Sequence, residues 1–407
     1  MENAIQPVLN SSVNQNGCPI PSTYFVSSQY TEWQHVLKAF HSGSEIAAHT
    51  MNHVNLANES DIAAAEIQGS FDFIYQEGIP SDLAKGFRHP FLALSKASYD
   101  AVFDSGARYE SSITVDPLVN GYWPFTLDNG MPFSPQPCES GCAELQASRY
   151  PGKWLIPMYQ ILDENNVLYS TMDPVLSLEA DYDVALKNLQ YSFNLHRRNK
   201  LPFGYYQHAS TYVSSTPENN ALRTKLLKDF IEWTLTEFDD VWYVTNNQLL
   251  DWMQDPVPLS DMQSRLPCLM PPTAGGPEIC DGIDNDGNGI TDDGLRASCF
   301  FEGGGTWQSC YGCPAFGFPS PDDATPARTG AGAGRALPPP AGCGVEVWDP
   351  VAGACVAVQR PATLTRVEAG LPGTAGSSPG KSSASGSGGT LRAVVLPLIG
   401  LLAFLSC

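Results

Sequence analysis

The feature that most restricts the fold is a rhythm. Between Ser22 and Met253, short apolar runs alternate with amphipathic segments every ~25–30 residues, which is the strand–helix repeat of a parallel sheet or barrel. Ser22–Val26 is aromatic and β-branched, bounded by Pro21 and Ser27, and is predicted as a buried strand. Trp33, Val36, Leu37 and Phe40 have helical spacing, and Gly43 stops that helix. Glu45–Ala48 reads as a second strand, 60–75 as an amphipathic helix, 86–92 as a strand end, 98–103 as a helix, and the run near Tyr109 as a further strand. Residues 116–150 form a long insertion in which Cys138 and Cys142 stand close enough to bridge. Strands at 153–157, 201–209 and 241–244 then alternate with helices at 181–196 and 223–238, and 247–253 closes the unit.

This layout gives a few polar residues a common address. His49 and His53 stand four apart, so on a helical turn both rings leave one face, the way a short segment offers two nitrogen ligands to a metal. A plain structural pair is the other reading of that spacing. His49, Arg88 and His208 each fall at the C-terminal end of a predicted strand, where chemistry collects in parallel barrels. His35, His41, His89 and His196 have no such placement and read as solvated or structural. Asp163 and Asp173 lie in a loop after the 153–157 strand and are set aside as metal ligands, because a new ligand must also meet tetrahedral geometry. The net charge of -21, with 22 Lys and Arg, argues against nucleic acid or an anionic membrane face as partner, since both need clustered positive charge. A neutral or cationic polymer is compatible with it.

The stretches NGCPIPSTYFVS, GSEIAAHTMNH, FRHPFL, YPGKWLIPM, LPFGYYQHA and VWYVTNNQLLDWMQDPVP stand in an order and spacing that resembles the polysaccharide deacetylase (NodB homology) domain, in its chitin-deacetylase-like group, over residues ~18–256. The resemblance implies an α/β fold, a distorted (β/α) barrel of about seven strands. It implies zinc-dependent removal of acetyl groups from an N-acetylglucosamine polymer such as chitin. It assigns His49 and His53 as metal ligands, His208 as the acid that protonates the leaving amine, and Arg88 as the residue that orients the catalytic base. Pro90, Phe91, Trp154 and Tyr206 would line the substrate groove, although Trp154 reads equally well as core. A TFDD-like motif on the family's first strand would supply a third ligand and the base. This sequence has no such motif, so the reading places it upstream of Met1 and expects the chain as written to be inactive or poorly metallated. A non-catalytic carbohydrate-binding or wall-organising surface protein is the alternative.

On this reading 1–262 is the deacetylase-like domain, N-terminally incomplete; 268–313 a Cys-rich module; 314–390 a low-complexity stalk; and 391–407 a C-terminal hydrophobic signal of the GPI type. Ten of the 11 Cys precede that tail and read as disulfides of an oxidising compartment, so the protein is expected outside the cell, tethered through a lipid anchor, although residues 1–15 lack a signal-peptide pattern. Within Cys280–Gly294, Asp284, Asp286, Asn288 and Asp292 are spaced as oxygen ligands for calcium.

Overall fold

The computed structural model describes residues 5–266 except 30, 59–60, 119–120, 175–177, 179–180 and 214, and beyond them 276–300 except 279, 306–309, 347–349, 354–356 and 398–406. The strands are β1 Thr23–Val26, β2 Glu45–Ala48, β3 Gly86–Phe87, β4 Tyr109–Glu110, β5 Thr114–Val115, β6 Phe125–Leu127, β7 Tyr150–Leu155, β8 Met158–Tyr159, β9 Phe203–His208 and β10 Val241–Val244. The helices between and around them are α1 Gln6–Ser11, α2 Trp33–His41, α3 Ala63–Gln76, α4 Lys96–Asp104, α5 Cys142–Ala147, α6 Tyr182–Asn199, α7 Pro217–Glu237, α8 Asn246–Gln254 and α9 Met262–Arg265. Strand then helix recurs as the sequence predicts, and the insertion carries β6 and α5 with a Cys138–Cys142 disulfide. Cys18 and Cys280 are disulfide-bonded as well.

The seven strands expected for the barrel are all present as β1, β2, β3, β4, β7, β9 and β10. Each joins one sheet in parallel register, with β6 added antiparallel to β7. Two short ribbons follow: β11 Ala297–Phe300 with β12 Thr306–Ser309, and β13 Val347–Asp349 with β14 Ala354–Val356. The second of these lies within the stretch read as a low-complexity stalk, 314–390; the rest of that stretch lies outside the described residues. The eighth parallel strand is β15, Leu398–Ser406, which pairs with β1, β9 and β10. These are the residues that the sequence reads as an anchor signal, and here they form a strand of the sheet. A central parallel strand is covered on both faces and so reads as an unbroken apolar run, which is how a lipid-directed tail also reads. Among the described residues no helix is long and apolar enough to cross a membrane.

Two layers of core result. Tyr24, Val26, Ile46, Ala48 and Phe87 point outward against α2, α3 and α4, in a cluster that includes Trp33, Phe71 and Phe73. Phe25, Ala47, Tyr109, Ile156 and Tyr206 fill the lumen. Gly86 is glycine for a reason of space: a Cβ there would meet the Tyr109 hydroxyl at 2.1 Å. The acidic Cys-rich segment packs on the barrel helices. Trp307 is 1% exposed and edge-on to Phe73 at 5.7 Å, Ser309 donates to Glu77, and Arg296 donates to Gln34.

Candidate active site at the mouth of the barrel

β2 ends at Ala48 and delivers His49 to the C-terminal side of the sheet, where Arg88 follows β3 and His208 ends β9. The His49–His53 segment is not a helical turn, which corrects the geometry expected of it. Thr50 and His53 both have left-handed backbone, with φ of 68° and 54°, and the loop is fixed from outside. Glu66, buried on α3, accepts from the Asn52 backbone N–H at 3.0 Å and from the Asn52 side chain, while its own carbonyl accepts from Met51. The fold still brings the imidazoles together, with ring centroids 4.9 Å apart.

His49 is 1% exposed. Its Nδ1 lies 2.9 Å from the Arg88 carbonyl, which can only accept, so Nδ1 carries the proton and Nε2 presents a lone pair. That Nε2 is buried without a partner. Burial, then the charge of His53, with smaller contributions from Arg88 and His208, holds the His49 ring neutral well below the ordinary range. His53 is lowered too, by burial and by His208. A neutral imidazole with an orphaned nitrogen beside a second imidazole is a donor set that fits a metal ion such as zinc. Among the described residues no third His, Cys or carboxylate completes it; the one group of three there is elsewhere.

Arg88 is fully buried with its guanidinium 3.9 Å above the Phe25 ring and 5.3 Å from Tyr206. Nε donates to the Ser111 carbonyl and Nη2 to Ser111 Oγ at 3.1 Å, whereas Nη1 has no partner. Burial lowers its pKa to about 10. Tyr206, expected on the groove, is therefore 3% exposed beneath Arg88, with its hydroxyl on the Pro157 carbonyl. Trp154 packs on the lumen cluster, the core alternative. Pro90 is buried. Phe91 is the wall residue that the geometry supports: it is 65% exposed, its backbone is left-handed at φ 57°, and its ring lies 4.7 Å from that of His53.

One participant had no local signal. Asp173, set aside at the sequence level, holds His208: one carboxylate oxygen accepts from His208 Nδ1, and the other from the His208 backbone N–H at 2.8 Å and Thr211 Oγ1 at 2.6 Å. Burial would raise the Asp173 pKa, but the hydrogen bonds and the His208 charge outweigh it and the net shift is downward. His89, buried behind Arg88, bonds Glu110 at 3.1 Å and Ser98 at 3.1 Å, a structural role as expected.

In the acidic loop Asp284 and Asp286 lie together, but with Glu278 as the third carboxylate. Asn288 touches both, donating its backbone N–H to Asp284 and Asp286 and its side chain to Asp286 and Asp293, while Asp292 accepts from the backbone of Asp281 and Gly282.

No family model matches the chain. Chitin deacetylase 8 of Bombyx mori is 28% identical over 286 residues, covering 67% of this chain and 72% of that protein. Chitin deacetylase 1 of Bombyx mori is 28% identical over 265 residues, covering 60% of this chain and 46% of that protein. A family 4 carbohydrate esterase from Streptomyces lividans in complex with acetate is 21% identical, over 28% of this chain and 58% of that one, with a TM-score of 0.23. The likeness to the two silkworm proteins supports a NodB-like polysaccharide deacetylase domain.

Proposed function

We propose that the domain hydrolyses N-acetyl groups of an N-acetylglucosamine polymer of the chitin type, with zinc held by His49 and His53. One observation carries the reading: a buried imidazole whose tautomer is fixed by the Arg88 carbonyl turns an unused lone pair toward the space beside His53. A metal bound there would polarise the amide carbonyl and lower the pKa of water. The chain's own residues do the rest. Asp173 keeps the proton on His208 Nδ1, so Nε2 is the atom that passes a proton to the leaving amine. Phe91, exposed at the rim against His53, offers a sugar ring an apolar face. The disulfides of Cys18, Cys138, Cys142 and Cys280 support a place on the secretory route.

The competing reading, a carbohydrate-binding surface protein without catalysis, is favoured by the two-histidine donor set, to which the described residues add no third ligand. Zinc content and acetate release from a chitin oligomer separate the two. The deacetylase reading expects bound zinc and acetate release that His49→Ala abolishes together, while His208→Ala removes acetate release and leaves zinc bound; that result would overturn the sequence-level expectation of an inactive, poorly metallated chain. Oligomer binding without zinc or acetate would assign the alternative.

A further inference from the structure

The two ends of the barrel are built from different charges. Segments 27–32, 49–62, 88–95, 116–124, 160–181 and 209–216 lead away from the C-terminal strand ends, and they contain no lysine and one arginine, the buried Arg88. The opposite end is mixed: Lys85, Arg108 and Lys200 lie on the connections that enter β3, β4 and β9, among acids such as Asp82 and Asp239. At the mouth Asp61 and Asp183 are exposed and Asp116 is half-buried, and none of the three forms an ion pair among the described residues. Lys96, Lys187 and Arg223, on the nearest turns of α4, α6 and α7, are held by Asp100, Glu164 and the Thr211 carbonyl. The helix dipole favours an acid in the first turn of α6 and so accounts for Asp183, but not for Asp116, which leaves β5 for a loop. Phe91, Leu118 and Val213 are exposed on three of the same connections. One buried atom is aimed into the space they surround: Nε2 of His49, which has no partner there.

Acids without bases repel an anionic chain and draw a cationic one, and apolar side chains on the same rim suit the flat C–H faces of sugar rings. We propose that the mouth docks an amino-sugar polymer carrying free amines: a run of glucosamine units with ammonium groups against Asp61, Asp116 and Asp183 and ring faces against Phe91, Leu118 and Val213. The identity of the polymer rests on the proposed function, which puts N-acetylglucosamine at this opening. The charge goes further than that reading. Stretches already freed of acetyl groups are held more strongly than stretches still acetylated, so the protein stays with the chain it has begun to deacetylate.

The test is fluorescence polarisation of labelled glucosamine and N-acetylglucosamine hexamers with the full chain at about pH 5.5, where the free amines are charged. In 20 mM sodium chloride the glucosamine hexamer is expected to bind about tenfold more tightly than the acetylated one, and in 500 mM the advantage should fall to about twofold or less. Asp61→Asn, Asp116→Asn and Asp183→Asn together should remove most of it. The same number of changes among exposed acids of the floor, Asp82→Asn, Glu237→Gln and Asp239→Asn, should leave it in place. Equal affinity of the two hexamers in low salt would overturn the proposal. So would a floor variant that loses as much as the mouth variant, since net charge alone would then explain the binding. A lysine hexamer that binds as tightly as the glucosamine hexamer would overturn the assignment to a sugar. Glucosamine binding without acetate release from a chitin oligomer leaves this surface standing and removes the deacetylase reading; acetate release with no preference between the hexamers does the reverse.

Discussion

Strand β2 carries an ionisable group at each end of the barrel, and the two ends treat their charges in opposite ways. At the floor, Glu45 is buried, with no cation beside it among the described residues, yet its oxygens take hydrogen bonds from Thr23, Tyr109, and the backbone and side chain of Asn247. At the mouth, His49 and Arg88 are equally buried, but each keeps a polar atom with no partner. The floor is a closed account of donors and acceptors that ties β2 and β4 to the first turn of α8. The mouth is held in shape by backbone carbonyls and Ser111 and left incomplete where a ligand would act. At Glu45 the acceptors are taken, while His49 and Arg88 each leave an atom open where a ligand would act.

The largest test of this contrast lies at the mouth. Asp173→Asn keeps the shape of the side chain but removes the carboxylate that fixes the His208 tautomer. A fall in kcat of about 100-fold or more is expected with KM and melting temperature little changed, measured by acetate release. A melting temperature that drops with kcat would make Asp173 part of the scaffold.

The floor is expected to answer in stability. Burial raises the Glu45 pKa from 4.5 to about 7, against hydrogen bonds that lower it. A carboxyl raised in the folded state gives stability that is complete below its unfolded pKa and is lost as pH rises through the folded value. Glu45 should therefore cost the fold about 3 kcal/mol between pH 4.5 and 8. The half-buried His41 and the buried His196, both lowered to about 4, act in the opposite sense below pH 6.5, so the measurement is a difference. Urea unfolding of the parent and Glu45→Gln across that range should show the variant gaining on the parent as pH rises, and parallel curves would mean that the carboxyl is not buried alone.

Phe91 should give the smallest effect. At 65% exposure its replacement by Ala is expected to change stability by under about 0.5 kcal/mol, while KM for a chitin oligomer rises severalfold. An unchanged KM would remove the ring from the groove.

The legibility of the molecule followed the range of its interactions. The barrel strands showed in the sequence because each buries its side chains against neighbours that repeat along the chain. The positions of His49, Arg88 and His208 showed because a strand end can be located from its run. Asp173 did not, since its role is set by a loop crossing to a residue 35 positions later. The backbone of the His49–His53 turn was equally hidden, because Glu66 imposes it from another helix. The run of β15 is open to two readings for a different reason: an apolar run without period says that it will be buried, not in what.

Trp307 gives the segment before it a meaning that its composition conceals. The indole is wedged beside Phe73, in the cluster that also holds Trp33, and Gly282 sits so tightly on α2 that a Cβ would come within 2.3 Å of the Gln34 carbonyl. A chain shortened by gene rearrangement to its barrel alone would bear a greasy scar on α2 and α3. Trp307 and Gly282 thus cover apolar surface on α2 and α3 that the barrel alone would expose to water.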